Sequence, residues 1–183
     1  MDKKSIIRNQ FFKLRKKKYF KIGSKFFNPL VKLIKNKTEI KKKIVSIYYP
    51  TSYEINVLKI LENEFFRNFT ILLPVIEESN SMNFYKWKKD DILIINKYGI
   101  PEPVKSKKMI PSIMLIPLLS FDKFKNRLGY GKGFYDKYLN KNKTKNRIIL
   151  TIGVAFSFQK YKKLPTNIQD FGLDYIITEK GII

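Results

Sequence analysis

The most apolar run of the chain, IMLIPLLSF at residues 113 to 121, does most to limit the folds open to this sequence. A run that is apolar without alternation suits a strand covered on both faces, as in the middle of a parallel sheet. Other runs have the β-branched and aromatic character of buried strands. They are KIVSIYYP at 43 to 50, FTILLPVI at 69 to 76, RIILTIGVAF at 147 to 156 and LDYIIT at 173 to 178. We therefore predict a sheet with residues 113 to 121 as a central strand.

Helical patterns alternate with these strands. A basic amphipathic pattern covers residues 3 to 20, and a second predicted helix covers residues 24 to 42. Ser24 is a candidate cap of this second helix, and Pro29 either falls early in it or marks its true start. A T-x-x-E capping box at Thr51 and Glu54 predicts a helix over residues 52 to 67. Another helix is predicted to begin with FYDKYL at 134 to 139. The alternating segment MNFYKW at 82 to 87 indicates a half-exposed strand, and KYGIPEP at 97 to 103 indicates an irregular loop.

This alternation predicts the fold class. Strands separated by helices indicate an α/β protein with a mostly parallel, mixed central sheet and helices on both faces, in three α/β/α layers. Ligands of such sheets bind at the carboxyl ends of the strands. The length of 183 residues, without a linker or an internal repeat, predicts one domain over residues 1 to 183.

The amino-acid composition limits the groups that this chain can use for catalysis. The chain has no cysteine and no histidine, which excludes disulfides, a thiolate nucleophile, Cys-ligated zinc and a histidine base. Charge interrupts the apolar residues of the N-terminus every few positions, and no run is long enough for a membrane span, so we expect a soluble cytoplasmic protein with no membrane partner. Carboxylates, lysine, arginine, hydroxyls and the backbone remain for catalysis.

The formal net charge of +23 has two interpretations. Clustered cations neutralise phosphates and would indicate a nucleic-acid partner. The excess lysine is, however, spread along the chain together with abundant Asn, Ile, Phe and Tyr, as expected if AT-rich codons drifted into tolerant surface positions. Runs such as residues 16 to 18 and 41 to 43 are then solvated faces.

A glycine segment, NRLGYGKGFYDKYL at residues 126 to 139, follows the central strand and enters a helix. Such a junction presents backbone N–H groups and a helix N-terminus to anions. Gly129, Gly131 and Gly133 would let a phosphate chain approach the backbone, and Asp136 could hold a divalent cation. The alternative is a sharply turning surface loop, because the segment lacks both the GK[ST] ending of a P-loop and the dinucleotide fingerprint.

The longer segment FDKFKNRLGYGKGFYDKYL resembles the signature of the 5-formyltetrahydrofolate cyclo-ligase family, FD-x-x-G-x-RLG-x-G-x-GYYD-x-Y/F-L. Other pieces follow in family order along nearly the whole chain. They are Lys4 and Arg8, YYPTSYEI around Glu54, LPVI, GIPEP, Gln159 after VAF, and LP-x-x-x-x-D followed by LDYIITEKGI.

The resemblance implies an ATP- and Mg²⁺-dependent closure of 5-formyltetrahydrofolate (folinic acid) to 5,10-methenyltetrahydrofolate, through a phosphorylated formyl intermediate, with release of ADP and phosphate. Positioning and charge neutralisation dominate phosphoryl transfer, so this chemistry requires no histidine. The substrates would be two small molecules, and we expect a monomer. The rival hypothesis is a nucleic-acid or polyanion binder on a degenerate cyclo-ligase scaffold.

The resemblance also implies roles for individual residues. The catalytic set is Arg127, Lys132 and Glu54, and the magnesium ligands are Asp136 and Asp170. ATP would contact Lys4, Arg8, Arg127, Leu128, Gly129, Tyr130, Gly131, Lys132, Gly133, Phe134 and Tyr135. Folate would contact Tyr49, Glu54 and residues Tyr130, Gly131, Lys132, Gly133 and Phe134.

Most of these residues also have a purely structural interpretation. Glu54 can serve a capping box, Asp136 can favour a helix N-terminus, and Asp170 can cap a turn. Lys4 and Arg8 fall in a helix rich in cations, and Tyr49 suits a core. Trp87 could stack on a flat ring, although packing is the more usual role of such a tryptophan.

Two departures from the signature concern the glycine segment. Phe134 replaces the first tyrosine of GYYD, which leaves ring packing without a hydroxyl. Lys125 and Asn126 stand where the family has a turn that contains glycine. Neither change removes a charged group.

Overall fold

The computed structural model describes residues 2–142, 148 and 150–183. The α-helices are α1 (Lys3–Lys18), α2 (Asn28–Lys35) and α3 (Phe134–Asn142). The strands are β1 (Ile44–Ser46), β2 (Thr70–Ile76), β3 (Met82–Lys86), β4 (Leu93–Ile95), β5 (Pro101–Pro103), β6 (Ile113–Pro117), β7 (Ser120–Phe121), β8 (Arg127–Leu128), β9 (Leu150–Val154), β10 (Tyr175–Thr178) and β11 (Gly181–Ile182). Short 3₁₀ helices cover Ser24–Phe27, Val57–Glu62, Glu64–Phe66 and Ser157–Gln159.

The central sheet has seven strands in the order β11-β10-β9-β6-β1-β2-β3. The strands from β10 to β2 in this order are parallel, while β3 and β11 pair antiparallel at the two edges. The chain proceeds outward from β1 to β2 on one side and from β6 to β9 on the other. The neighbours β1 and β6 therefore form a topological switch point, where α/β sheets bind their ligands.

Alternate residues of the strands pack into two separate cores, which confirms the predicted layers. Val45 and Ile113 lie in the core that also buries Leu30 of α2. Their chain neighbours on the other face, among them Met114, pack with Leu139 of α3. Burial on both faces is what the unbroken apolar run of β6 predicted.

The helix α1 packs away from both cores. Its buried residues Ile7 and Phe11 contact Leu119, Leu128 and Leu164. Leu128 immediately precedes Gly129, so this small cluster fixes the position of α1 against the glycine segment. The cations on the first turns of α1 are thereby brought beside the glycines.

Several predicted elements have other bounds. The helix predicted over 52 to 67 is wrong, since Ser52 and Tyr53 have positive φ angles of 50° and 63° and only 3₁₀ turns follow. The helix predicted over 24 to 42 is shorter, since a 3₁₀ turn over Ser24–Phe27 leads into α2 (Asn28–Lys35). Gly23 rather than Ser24 occupies the N-cap position of the 3₁₀ turn, so no side chain caps it. Pro29 does fall at the start of α2, where its missing N–H costs nothing.

Two small hairpins were not predicted. Residues 97 to 103 include β5, which pairs with β4, so part of the expected loop is a strand. The run 113 to 121 divides into β6 and β7, and β7 pairs with β8, the two residues just before Gly129. In that turn Lys125 has a φ of 63°, the left-handed conformation for which the family signature uses glycine.

Candidate active site

A cavity of about 1020 Å³ lies at the carboxyl ends of β1, β2 and β6. The strand ends contribute Tyr48, Ile76 and Pro117 to its wall. Every residue that the sequence analysis assigned to ATP, folate or magnesium lines this same cavity. The set is Lys4, Arg8, Tyr49, Glu54, Arg127, Leu128, Gly129, Tyr130, Gly131, Lys132, Gly133, Phe134, Tyr135, Asp136 and Asp170.

The glycine segment forms one wall through its backbone conformation. Gly131 and Gly133 have φ angles of 99° and 68°, which residues with a Cβ rarely adopt. Arg8 donates a 2.9 Å hydrogen bond from Nε to the carbonyl of Gly129. A Cβ on Gly131 would lie 3.2 Å from Cζ of Arg8. The absence of side chains therefore lets the arginine of α1 lie directly on the loop.

The side chain of Arg127 is 4% exposed and lies against the first turn of α3. Its Nη2 donates to Oδ1 of Asp136 at 2.7 Å, and the same oxygen accepts a 3.1 Å hydrogen bond from the backbone N–H of Phe171. Its Nε is buried and has no partner among the described residues. The guanidinium is therefore held against the start of α3, beside the cavity that the residue lines.

Asp170 forms a second ion pair in the same corner of the cavity. Its Oδ2 accepts hydrogen bonds from Nζ of Lys4 at 2.5 Å and from the backbone N–H of Asn167 at 2.8 Å. The bond from Phe171 to Asp136 brings the chain next to Asp170 against the start of α3. The two predicted metal ligands therefore line one corner, and each contacts a cation.

A metal ion would need further ligands here. Within residues 2–142, 148 and 150–183, no three acidic side chains lie close enough to hold a cation between them. Mg²⁺ commonly takes one or two carboxylates and completes its shell with water and phosphate oxygens. The pair Asp136 and Asp170 suits that mode of binding, provided that a phosphate ligand shares the site.

Glu54 lies in another part of the cavity wall and is 7% exposed. Its Oε1 accepts a 2.6 Å hydrogen bond from the hydroxyl of Tyr130, and its Oε2 accepts a 2.8 Å hydrogen bond from the backbone N–H of Thr51. The capping-box contact is therefore present, but it closes a turn and no α-helix follows. The tyrosine hydroxyl in turn accepts a 2.5 Å hydrogen bond from Nη2 of Arg15.

Burial dominates the electrostatics of this wall. Burial raises the pKa of Glu54, while the Tyr130 hydroxyl and the nearby charge of Arg15 oppose the rise. The pKa of Tyr135 is raised by burial and by the charge of Glu54, as is that of Tyr48. The tyrosines around Glu54 therefore stay protonated and act as donors at neutral pH.

Aromatic rings close the remaining side of the cavity. The hairpin between β4 and β5 brings Tyr98 to within 5.9 Å of Phe134, measured between ring centroids, and Nζ of Lys132 lies 5.8 Å from the Tyr98 centroid. Trp87, in contrast, is buried in the core on the α2 side of the sheet, so its structural interpretation is correct. A flat ligand would meet Tyr98 and Phe134 in this cavity.

Sequence analysis missed Arg15, Tyr48 and Tyr98 at this site. Arg15 looked like one more cation of a basic helix, and its only signal was a position seven residues after Arg8 on the same face. Tyr48 belonged to an apolar strand pattern. Tyr98 lay in a segment predicted as an irregular loop, where position along the sequence does not indicate proximity to a site.

Comparisons of the sequence with known proteins all lead to one family. The sequence model of the 5-formyltetrahydrofolate cyclo-ligase family matches residues 1–179. A 5-formyltetrahydrofolate cyclo-ligase of Haemophilus influenzae is 30% identical over 138 residues, which cover 72% of this chain and 73% of that protein. The cyclo-ligase of Escherichia coli is 27% identical over 146 residues, covering 75% and 79% of the two chains.

Solved structures give the same result for the fold. The NMR structure of Aquifex aeolicus 5,10-methenyltetrahydrofolate synthetase superposes with a TM-score of 0.73 at 29% identity, covering 98% of this chain and 91% of that one. The synthetase structure from Mycoplasma pneumoniae, at 24% identity, has a TM-score of 0.72 and covers 97% and 99% of the two chains.

These matches do not support the rival hypothesis of a polyanion binder, since each relative carries the name of an enzyme. Among the described residues, no helix has the length and apolar character needed to cross a membrane. The match over residues 1–179 extends through the cavity and both walls that line it. The chain belongs to the 5-formyltetrahydrofolate cyclo-ligase family.

Proposed function

We propose that this protein closes 5-formyltetrahydrofolate to 5,10-methenyltetrahydrofolate at the expense of ATP, in the cavity at the switch point of its sheet. The observation that carries the proposal is the convergence of all the residues assigned by resemblance on that one cavity. Its volume of about 1020 Å³ suits two ligands of moderate size. The cations and the glycine backbone form one end, and Glu54 and the aromatic rings form the other.

The triphosphate would occupy the end formed by α1 and the glycine segment. Lys4 and Arg8 lie one helical turn apart on the same face of α1, and Arg127 lines the same cavity. Leu128 to Tyr135 supply backbone N–H groups and the N-terminus of α3. Phosphate oxygens can replace the carboxylates as partners of Lys4 and Arg127, because both anions form strong charge-assisted hydrogen bonds with these groups.

That exchange would release Asp136 and Asp170 to bind magnesium. The two acids then hold the ion against the phosphates, and water completes the shell. When bound, the ion neutralises the charge that builds up on the transferring phosphoryl group. Lys132 extends from the tip of the glycine segment and adds a positive charge to the same region.

The folate would occupy the end formed by Tyr49, Glu54 and the segment from Tyr130 to Phe134. Ionised Glu54 accepts hydrogen bonds from N–H groups of the pterin, while Phe134 and Tyr98 pack against its rings. This placement directs the formyl group toward the phosphates. The reacting atoms are then held close together, which is the main contribution that an enzyme makes to phosphoryl transfer.

The reaction follows in two steps. The formyl oxygen attacks the γ-phosphorus, the bond to the bridging oxygen breaks, and ADP leaves. Folate N10 then adds to the activated formyl carbon, the carbon–oxygen bond breaks with release of phosphate, and N10 gives up its proton. Arg127 and Lys132 stabilise the negative charge on the transferring group in the first step.

Purified protein, folinic acid, ATP and Mg²⁺ provide the direct test. We expect an ATP-dependent product that absorbs near-ultraviolet light, with none formed when ATP is omitted or magnesium is chelated. Absence of that absorbance change at enzyme concentrations close to those of the substrate would overturn the proposal. We further expect the protein to act as a monomer in the cytoplasm, which sedimentation and cell fractionation would check.

A further inference from the structure

Arg15 is the one buried cation in the last two turns of α1. Its residue is 1% exposed, whereas its neighbours Lys16, Lys17 and Lys18 are exposed. Removing a guanidinium from water costs several kcal/mol unless hydrogen bonds and an opposite charge compensate it. Arg15 nevertheless forms no direct ion pair with any carboxylate of residues 2–142, 148 and 150–183.

The compensation comes through a tyrosine. Nη1 of Arg15 donates to the carbonyl of Leu118 at 3.2 Å, and Nη2 donates to the hydroxyl of Tyr130 at 2.5 Å. A guanidinium has no acceptor, so the Tyr130 hydroxyl must direct its only proton elsewhere. That proton points to Oε1 of Glu54, 2.6 Å away. The buried positive and negative charges therefore share one hydroxyl group.

Tyr130 suits this bridging position. The residue lines the cavity and is 43% exposed, while its hydroxyl contacts the two charged groups. Cζ of Arg15 lies 5.6 Å from the ring centroid, a distance at which a cation is attracted to an aromatic face. Desolvation of the hydroxyl and the charge of Glu54 raise the pKa of Tyr130, so the bridge retains its proton.

The charge state of Glu54 depends on these neighbours. Tyr48, Tyr130 and Tyr135 surround it as neutral groups, and Arg15 is the cation whose charge lowers its pKa. Without that cation, only the hydrogen bonds from Tyr130 and Thr51 would oppose the effect of burial, and the pKa of Glu54 would rise further. A protonated Glu54 would present a donor where the proposed function needs an acceptor.

We propose that Arg15 is a positioning residue that acts through the Tyr130 hydroxyl to keep Glu54 ionised and correctly oriented for the N–H donors of the pterin. This inference rests on the proposed function, since it takes Glu54 as a folate contact. It assigns Arg15 to folate recognition, although α1 otherwise supplies the cations near the phosphates. A loss of Arg15 should therefore affect folate and leave ATP binding nearly unchanged.

Kinetics of Arg15→Met test this separation. The change keeps an apolar stem and removes the charge, and Lys16→Met is the matched control on the exposed face of the same helix. We expect Arg15→Met to raise KM for folinic acid about tenfold or more, the size of a lost charged hydrogen bond, and to change KM for ATP less than about twofold. Arg15→Lys should recover part of the loss, because it restores the charge without the planar fork that reaches both Leu118 and Tyr130.

The pH profile separates electrostatic positioning from simple structural support. In Arg15→Met, the acidic limb of kcat/KM for folinic acid should move to higher pH, because Glu54 then ionises later. The loss should be greatest at low pH and shrink as the pH rises. In a Tyr130→Phe background, Arg15→Met should have a smaller effect, because the hydroxyl that links Arg15 to Glu54 is absent and only the charge of Arg15 still acts on the carboxylate. A loss that is uniform across pH, or equal losses for ATP and folinic acid, would overturn the inference.

Unfolding measurements, which need no substrate, distinguish a failure of this inference from a failure of the proposed function. Arg15→Met raises the folded-state pKa of Glu54 further, so the protein should lose stability as the pH rises through that value, relative to the native protein. Adding Glu54→Gln should abolish this pH dependence. If the native protein fails to cyclise folinic acid, the proposed function falls, while these unfolding curves still decide whether Arg15 controls Glu54. Identical pH dependence in Arg15→Met and Lys16→Met would refute that control.

Discussion

Arg127 and Asp136 are joined across the glycine segment by a 2.7 Å hydrogen bond from Nη2 to Oδ1. The bond links the last strand before the glycines to the first turn of the helix after them, so the loop is held at both ends. Both partners are also residues to which the family resemblance assigns a role with ATP and magnesium. Under the proposed function, the two partners would separate when a triphosphate binds, because phosphate oxygens can replace the carboxylate as the acceptor of Arg127.

Asp136→Asn separates these two roles. Asparagine keeps the volume and one oxygen that can accept from Arg127, but it removes the charge that would bind magnesium. We expect kcat/KM to fall by about 100-fold or more and the magnesium concentration for half-maximal activity to rise. Steady-state rates over a magnesium titration measure both effects. The exposed Asp90→Asn is the matched control and should behave like the native protein. Full activity in Asp136→Asn would remove this residue from the metal site.

Gly131→Ala tests the contact between α1 and the glycine segment. The backbone at Gly131 has a φ of 99°, and a Cβ would lie 3.2 Å from Cζ of Arg8. Alanine must therefore strain the loop and displace the arginine that would contact phosphates. We expect KM for ATP to rise about tenfold, with a smaller change in KM for folinic acid.

Gly23→Ala is the control for that substitution. A Cβ added at Gly23 would meet no atom within 4 Å, and the backbone there has a negative φ of −101°, so alanine fits without strain. Its kinetics should match those of the native protein. Unchanged ATP kinetics in Gly131→Ala would show that the loop relaxes without loss of phosphate contacts.

The central sheet was predictable because burial on both faces leaves a direct mark in the sequence. The unbroken apolar character of β6 predicted its position, and the alternation of strands and helices predicted the parallel order. The glycine segment was equally clear, because Gly131 and Gly133 are needed for their backbone angles. These features depend on residues that are close together in the sequence, so a short stretch of sequence is enough to predict them.

The predictions that failed concern residues whose conformation depends on contacts with distant parts of the chain. The contact between Thr51 and Glu54 forms as the capping box predicted, yet Ser52 and Tyr53 turn the chain away from a helix. The bond from Tyr130, 76 residues along the chain, then uses the other oxygen of Glu54. Arg15 is similar, since its burial depends on Leu118 and Tyr130 rather than on its neighbours in α1. No short window of sequence contains such partners.

Gly153→Ala should destabilise the fold without touching the cavity. Gly153 lies within β9, where a Cβ would approach Ile176 Cδ1 and Leu118 Cδ2 at 2.7 Å and Leu173 Cδ1 at 2.8 Å. Overpacking of a core at this level typically costs about 1 to 3 kcal/mol. Denaturant unfolding monitored by circular dichroism measures the loss. Gly172→Ala, with no atom within 4 Å, should change the free energy of unfolding by less than about 0.5 kcal/mol. Equal stability of the two variants would contradict this close packing around Gly153.

Glu77 should make stability depend on pH in the acid range. Its carboxylate contacts Lys105 Nζ at 2.7 Å and accepts a 2.8 Å hydrogen bond from the Tyr85 hydroxyl. The hydrogen bond from Lys105 is the main cause that lowers the pKa of Glu77 to about 2 from its ordinary value of 4.5. A lowered folded-state pKa contributes stability above pH 4.5, and this contribution is lost as the pH falls toward 2.

Glu77→Gln should therefore lower the free energy of unfolding by roughly 1 kcal/mol at pH 7. The effect is this small because solvent screens the half-exposed lysine. The difference from the native protein should shrink as the pH falls from 4.5 toward 2, because the unfolded chain binds its proton near pH 4.5 while the folded carboxylate stays charged until the pH approaches its lowered pKa. Urea unfolding at several pH values measures it. Glu62→Gln, in an exposed pair with Lys59, is the matched control and should show almost no difference at any pH. A pH-independent cost of Glu77→Gln would mean that packing or neutral hydrogen bonds, rather than the charge of Glu77, stabilise this edge of the sheet.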